Sequence, residues 1–218
     1  MIDKYKNKYR IQSNRLQYYD YGANGCYFVT ICTKNSVHYF GEIETHNYDE
    51  IVETHNYASL RKTTISEIAE KFWFEIPNHF PFVVLDQFVI MPNHIHGILF
   101  FENVETHNYG KNVETHNYAS LQNPNNYNKF GPQSKNLGSV IRGFKSSLKR
   151  YANENNIDFA WQSRFYDRII RNDDELNNVR KYILYNPLNW NDDEYNTVKM
   201  KNINRCRDAM HCVSTIIK

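Results

Sequence analysis

An α+β fold built on one antiparallel sheet is what this sequence predicts, and three observations predict it. Four segments, 25–33, 82–91, 94–101 and 164–171, are rich in β-branched and aromatic residues. Three stretches between and after them repeat their apolar residues at helical spacing. The resulting order, β-α-β-β-α-β-α, is that of a ferredoxin-like sheet with one further helix on its C-terminal side.

Each element has its own justification. Residues 25–33, Gly-Cys-Tyr-Phe-Val-Thr-Ile-Cys-Thr, read as a strand. Residues 63–76 place Ile65, Ile68, Ala69, Phe72 and Ile76 on one helical face. The apolar strands 82–91 and 94–101 are split by Pro92-Asn93, a tight turn, which makes them a hairpin. Leu137, Val140, Ile141, Phe144, Leu148 and Tyr151 form the apolar face of a second helix, with Arg142, Lys145, Lys149 and Arg150 mostly on its other side. After the strand 164–171, Asn172 caps a third helix with Glu175 three positions on. That helix runs through Leu176, Val179, Tyr182 and Ile183 and must stop near Asn186, since a residue before proline is disfavoured in the α region.

The 218 residues are enough for one domain with a proper core, and 17 Tyr and 13 Phe supply apolar bulk that a disordered chain lacks. No apolar run has the length of a membrane span, and Met1 to Asn14 is polar and charged, so a cytoplasmic protein is expected. Cys26, Cys32, Cys206 and Cys212 form no CxxC pair, which argues against a zinc site or a disulfide framework.

Repetition interrupts this plan. ETHNY occurs at 44–48, 53–57, 105–109 and 114–118, and two copies extend to VETHNYASL, at 52–60 and 113–121. The copies are too short and too irregularly placed to stack as a solenoid. Although they carry four of the nine histidines, solvated surface insertions are the better expectation. Val52-Glu53-Thr54 can be encoded by GTAGAGACGC and Ala58-Ser59-Leu60 by GCGTCTCTAC, which are reverse complements; the tail segments Cys206–Ala209 and Cys212–Thr215 can encode the same two strings in another frame. The repeats thus read as a translated DNA palindrome. One domain over 1–205, interrupted near 44–60 and 102–121, with a repeat-derived tail at 206–218, is the expected organisation.

Removing the insertions changes the charge. Residues 44–60 hold four acidic and no basic side chains and residues 102–121 hold three and one, so the remainder carries +8 against +2 for the whole chain. A basic domain favours nucleic acid through phosphate contacts, and Arg142, Lys145, Lys149 and Arg150 are candidates for them or, equally, an ordinary solvated face.

His94-Ile95-His96 is the densest chemical signal. Two imidazoles two residues apart on a strand share a face and can share a metal ion. Asn186 offers an amide oxygen to such a site, or simply ends its helix before Pro187; Tyr182, one turn earlier on the same face, is either a nucleophile or a packed phenol. Tyr185 shares that face less well.

MPNHIHGILF resembles the HUH motif of single-tyrosine transposases, and WQSRFYDRIIRNDDELNNVRKYILYNPLNW is similar to the second signature of the REP-associated tyrosine transposases; NGCYFVTICT and LGSVIRGFKSSLKRYA fit the same pattern, over roughly residues 8–192. The resemblance implies an HUH-type fold, Mg2+ or Mn2+ on His94, His96 and Asn186, and Tyr182 as the nucleophile. It also implies single-stranded DNA hairpins as partner, cleavage and strand transfer through a 5′-phosphotyrosine, and a monomer or homodimer. The alternative is a non-catalytic or domesticated hairpin-binding module that stacks bases on strand aromatics such as Tyr27 or Phe28.

Overall fold

The computed structural model describes residues 19–46, 57–102 and 135–196. Met1 to Asn14, the repeat copies at 105–109 and 114–118, Cys206, Cys212 and the tail 206–218 lie outside the described residues. Among the described residues, six strands and four α-helices follow in the order β1 (Gly25–Cys32), β2 (Gly41–His46), β3 (Tyr57–Lys62), α1 (Thr64–Phe74), α2 (Ile76–His79), β4 (Val83–Met91), β5 (His94–Phe101), α3 (Leu137–Glu154), β6 (Tyr166–Ile170) and α4 (Asp173–Tyr185). The main sheet has the order β4-β5-β1-β6 and is antiparallel throughout, the arrangement expected of a ferredoxin-like α+β fold.

Local chemistry sets the helix ends. Thr63 accepts the Ser66 N–H at the start of α1, Asn136 and Ser139 form a capping box on α3, and Asn172 accepts the Glu175 N–H on α4. Asp173, Asp174 and Glu175 add negative charge where the α4 dipole is positive. The helix expected over 63–76 breaks at Glu75, because Pro77 cannot continue the α1 ladder and instead opens the short α2.

Alternation along β5 separates two cores. Ile95, Leu99 and Phe101 join the larger cluster with Ile65, Ala69 and Trp73 of α1 and Leu137, Val140, Ile141, Phe144 and Leu148 of α3. Ile98 and Phe100 face the opposite way, against Leu176, Val179 and Ile183 of α4 and Cys26, Phe28 and Ile170 of the neighbouring strands. Each fully buried aliphatic side chain there contributes roughly 1.5–3 kcal/mol toward holding α4 on the sheet. At a bulge between Leu85 and Phe88 of β4, Asp86 receives a two-pronged bond from Arg180 of α4, with Nε 3.0 Å from Oδ2, which fixes the helix along its axis.

Part of the first repeat cluster is ordered. Instead of a purely solvated insertion over 44–60, its ends pair as β2 and β3, with Glu44 opposite Ser59, Thr45 opposite Ala58 and His46 opposite Tyr57. Ala58 is buried and Leu60 packs on the larger core, so the alternation of Ala-Ser-Leu gives this end a face to bury.

Candidate metal centre

His94 and His96 open β5 on the α4 side of the sheet, both buried, with ring centroids 4.5 Å apart. One nitrogen of each ring is engaged behind the site: His94 Nδ1 lies 2.8 Å from Asn93 Oδ1, and His96 Nδ1 lies 2.9 Å from Thr30 Oγ1. That leaves both Nε2 atoms on the α4 side. His96 Nε2 meets the Tyr182 hydroxyl at 3.2 Å, while His94 Nε2 is buried with no hydrogen-bond partner. Phe28 stacks on His96 at 5.2 Å and stands edge-on to Tyr182, so strand β1 sets the tilt of both rings.

The rings are held neutral. Burial pushes the His96 pKa down to about 3. Burial, then the neighbouring His96 and His38, hold His94 well below its ordinary value. A neutral imidazole with a free lone pair is the form that binds a cation.

Asp193 completes a group that sequence reasoning missed. Its carboxylate and the two histidine nitrogens lie within 4.8 Å of one another, a set able to hold a metal ion. Burial raises the Asp193 pKa to about 6, against the Tyr195 N–H, which donates to Oδ1 at 2.7 Å, and a hydrogen bond from the Asn186 side chain. Asn186 is buried at the end of α4, and its Oδ1 has no hydrogen-bond partner. Two buried, unpartnered lone-pair atoms beside a carboxylate are costly without a cation and suited to one. Two imidazole nitrogens and one carboxylate oxygen fit a divalent ion.

The other candidates separate. Tyr182 sits half-buried beside His96, whereas Tyr185 points away and is 51% exposed. Tyr27 and Phe28 are buried, so they offer no stacking platform; both faces of β1 are covered by helices. The α3 cations lie across the sheet from the histidines. Lys145 is held in place: its Nζ donates to the Gln162 and Arg164 carbonyls at 2.6 and 2.7 Å, over the Trp161 ring, and burial lowers its pKa to about 8. Lys149 is likewise engaged with the Phe159 carbonyl at 2.7 Å. Arg142 and Arg150 are exposed and border an open cleft of about 660 Å³ with Arg164 and Phe165. No described helix is long and apolar enough to cross a membrane.

No protein-family model matches the chain. It is similar to a solved structure described as a REP-associated tyrosine transposase bound to a REP hairpin, with 17% identity and a TM-score of 0.48, over 82% of this chain and 74% of that one. It is 34% identical over 185 residues to an uncharacterized protein of Haemophilus influenzae (strain ATCC 51907 / DSM 11121 / KW20 / Rd), covering 84% of this chain and 91% of that protein. At that identity and coverage, the chain belongs to the same family as the Haemophilus influenzae protein.

Proposed function

We propose that this chain is a metal-dependent single-stranded DNA endonuclease and strand transferase of the REP-associated tyrosine transposase kind, acting on short palindromic hairpins. The observation that carries the reading is the Tyr182 hydroxyl 3.2 Å from His96 Nε2, beside the unpartnered His94 Nε2 and Asp193. A phenol packed only for stability has no need of a neutral histidine nitrogen at its hydroxyl.

His94, His96, Asp193 and Asn186 would hold the ion, of which His94, His96 and Asn186 are the ligands the sequence motifs suggest. When bound, Mg2+ or Mn2+ would polarise the scissile phosphate and stabilise the charge that develops on it. Tyr182 oxygen forms a bond to phosphorus, the bond from phosphorus to the 3′ oxygen breaks, and the phenol proton leaves as the 3′ oxygen gains one. The 5′-phosphotyrosine keeps the phosphodiester energy, so attack by another 3′-hydroxyl restores Tyr182 and joins the strands. Burial of Tyr182 against Phe28 holds the phenol at the histidines and limits competing attack by water. Arg142 and Arg150, across the sheet, would grip the hairpin stem through its phosphates.

The test is a labelled single-stranded hairpin with GTAGAGACGC and GCGTCTCTAC arms, incubated with the chain and Mn2+. A covalent protein–DNA adduct is expected for the native chain and none for Tyr182→Phe or His96→Ala. An adduct that persists in Tyr182→Phe refutes the nucleophile; one that persists after chelation removes the metal.

A further inference from the structure

We infer that Asn93 is a positioning residue: one buried amide fixes the tautomer of His94 and pegs the segment that carries Asp193 over the histidine pair. The inference rests on the metal reading above for its purpose but not for its geometry.

Asn93 lies in the turn between β4 and β5 and is 1% exposed. Its side chain has three neighbours. One end is 2.7 Å from the Tyr195 carbonyl and 3.3 Å from the Ser36 carbonyl, and the other is 2.8 Å from His94 Nδ1. Carbonyl oxygens only accept, so the end that meets them is the NH2 group. The oxygen therefore faces His94, and since it too can only accept, Nδ1 must carry the proton. Nε2 is left with its lone pair toward Asp193, where no other group satisfies it. An amide locked by two acceptors on one side thus dictates which histidine nitrogen is available on the other.

The same NH2 group acts at a distance in sequence. Tyr195 is 102 residues from Asn93, and its own N–H donates to Asp193 Oδ1 at 2.7 Å. Tethering the Tyr195 carbonyl therefore holds the turn that presents the Asp193 carboxylate, and the Tyr195 ring rests 4.5 Å from that of His94. The Asn93 main chain is anchored separately, its carbonyl accepting from Thr33 N and Oγ1 at 2.9 and 3.0 Å. Changing the side chain leaves that anchor in place.

Asn93→Ala removes both functions, and Asn93→Asp keeps an acceptor for His94 while losing the donor to Tyr195. In metal-free full-length chain, long-range proton–nitrogen NMR should show His94 protonated on Nδ1 in the native protein and in Asn93→Asp, and a mixture of tautomers in Asn93→Ala. Hydrogen exchange at the Tyr195 amide should quicken in both variants. Mn2+ affinity should fall roughly 10–100-fold in Asn93→Ala. A folded Asn93→Ala with the native His94 tautomer and native Tyr195 exchange overturns the inference. A native chain that shows the Nδ1 tautomer but binds no Mn2+ sinks the metal reading and leaves the positioning role standing.

Discussion

The two faces of the sheet are built from alternate residues of the same strands, yet they are finished in opposite ways. On one face Trp73 lies against Gly97, stacked on Phe88 and edge-on to Phe144, in a core of aliphatic and aromatic side chains. On the other, the apolar cluster under α4 gives way, two residues along β5, to His94, His96 and Tyr182. A one-residue step along β5 separates a group that stabilises from a group with an unpartnered lone pair. The α1 and α3 face also buries one unsatisfied polar atom, Trp73 Nε1, but that is a donor amid apolar rings, whereas His94 Nε2 and Asn186 Oδ1 on the other face present lone pairs.

The largest effect that would sharpen this contrast is on the aromatic face. Trp73→Ala should cost about 3–5 kcal/mol in denaturant unfolding, through the cavity left beneath α1. Gly97→Ala should also destabilise, because a Cβ there would meet Trp73 Cζ2 at 2.3 Å, and the fully buried indole has nowhere to move. Tyr182→Phe, by contrast, removes one hydrogen bond to His96 and should change stability by only about 1 kcal/mol. Equal losses on the two faces would break the comparison.

Next in size is the metal. Asp193→Asn should weaken Mn2+ binding by roughly tenfold or more, since the charge of the ligand set governs affinity for such ions. Asn186→Ala, which removes a neutral oxygen, should weaken it less. Calorimetric titration of the two variants separates the carboxylate from the amide as the stronger ligand. An unchanged affinity in Asp193→Asn would return the third position to Asn186 alone.

These residues differ in how legible they were. His94 and His96 could be read because strand alternation converts spacing directly into a shared face, and Tyr182 and Asn186 because helical spacing does the same. Asp193 lies beyond the helix, in irregular chain between Asp192 and Glu194, where no period ranks one acid above its neighbours. The Trp190–Asp192 turn, the bond from Asn196 Nδ2 to the Trp190 carbonyl, the Tyr195 N–H on its carboxylate and the Asn93 peg place it. Lys145 holds a contact hidden for a related reason: the amphipathic pattern of α3 shows that it leaves the core, but not that residues 162–164 fold back to use its ammonium. The β2–β3 pairing was hidden by the polar repeats that form it.

Acid titration compares the faces through protons. Unfolded histidine takes up a proton below 6.5, which buried His96 refuses until about 3, so stability is complete above 6.5 and is lost progressively as pH falls toward 3. His94 acts in the same direction. Asp193 acts oppositely: held at about 6 against 3.8 unfolded, it contributes stability that is complete below 3.8 and lost as pH rises through 6. Between pH 4 and 6 His96 and Asp193 therefore offset each other, and His94 sets the sign of the net slope: stability falls on acidification. Asp193→Asn, which removes the opposing group, should steepen that slope in metal-free urea unfolding. A slope that does not change would mean that Asp193 is solvated rather than buried with the histidines.

The smallest expected effect asks whether the α3 face is only structural. Arg142 and Arg150 are exposed beside the cleft, so Arg142→Ala or Arg150→Ala should leave unfolding unchanged and weaken hairpin binding about equally for all stem sequences. Each lost phosphate contact should lower the dependence of log affinity on log salt by about 1. Lys145→Met should behave differently. Its ammonium holds two loop carbonyls, so the variant should lose stability before it loses DNA affinity. If Arg142→Ala and Arg150→Ala keep the native salt dependence, the stem contacts lie elsewhere and α3 serves the core alone. If they lower it while adduct formation at saturating hairpin stays at the native rate, the face that stabilises the sheet also holds the DNA, and the histidine face is reserved for cutting it.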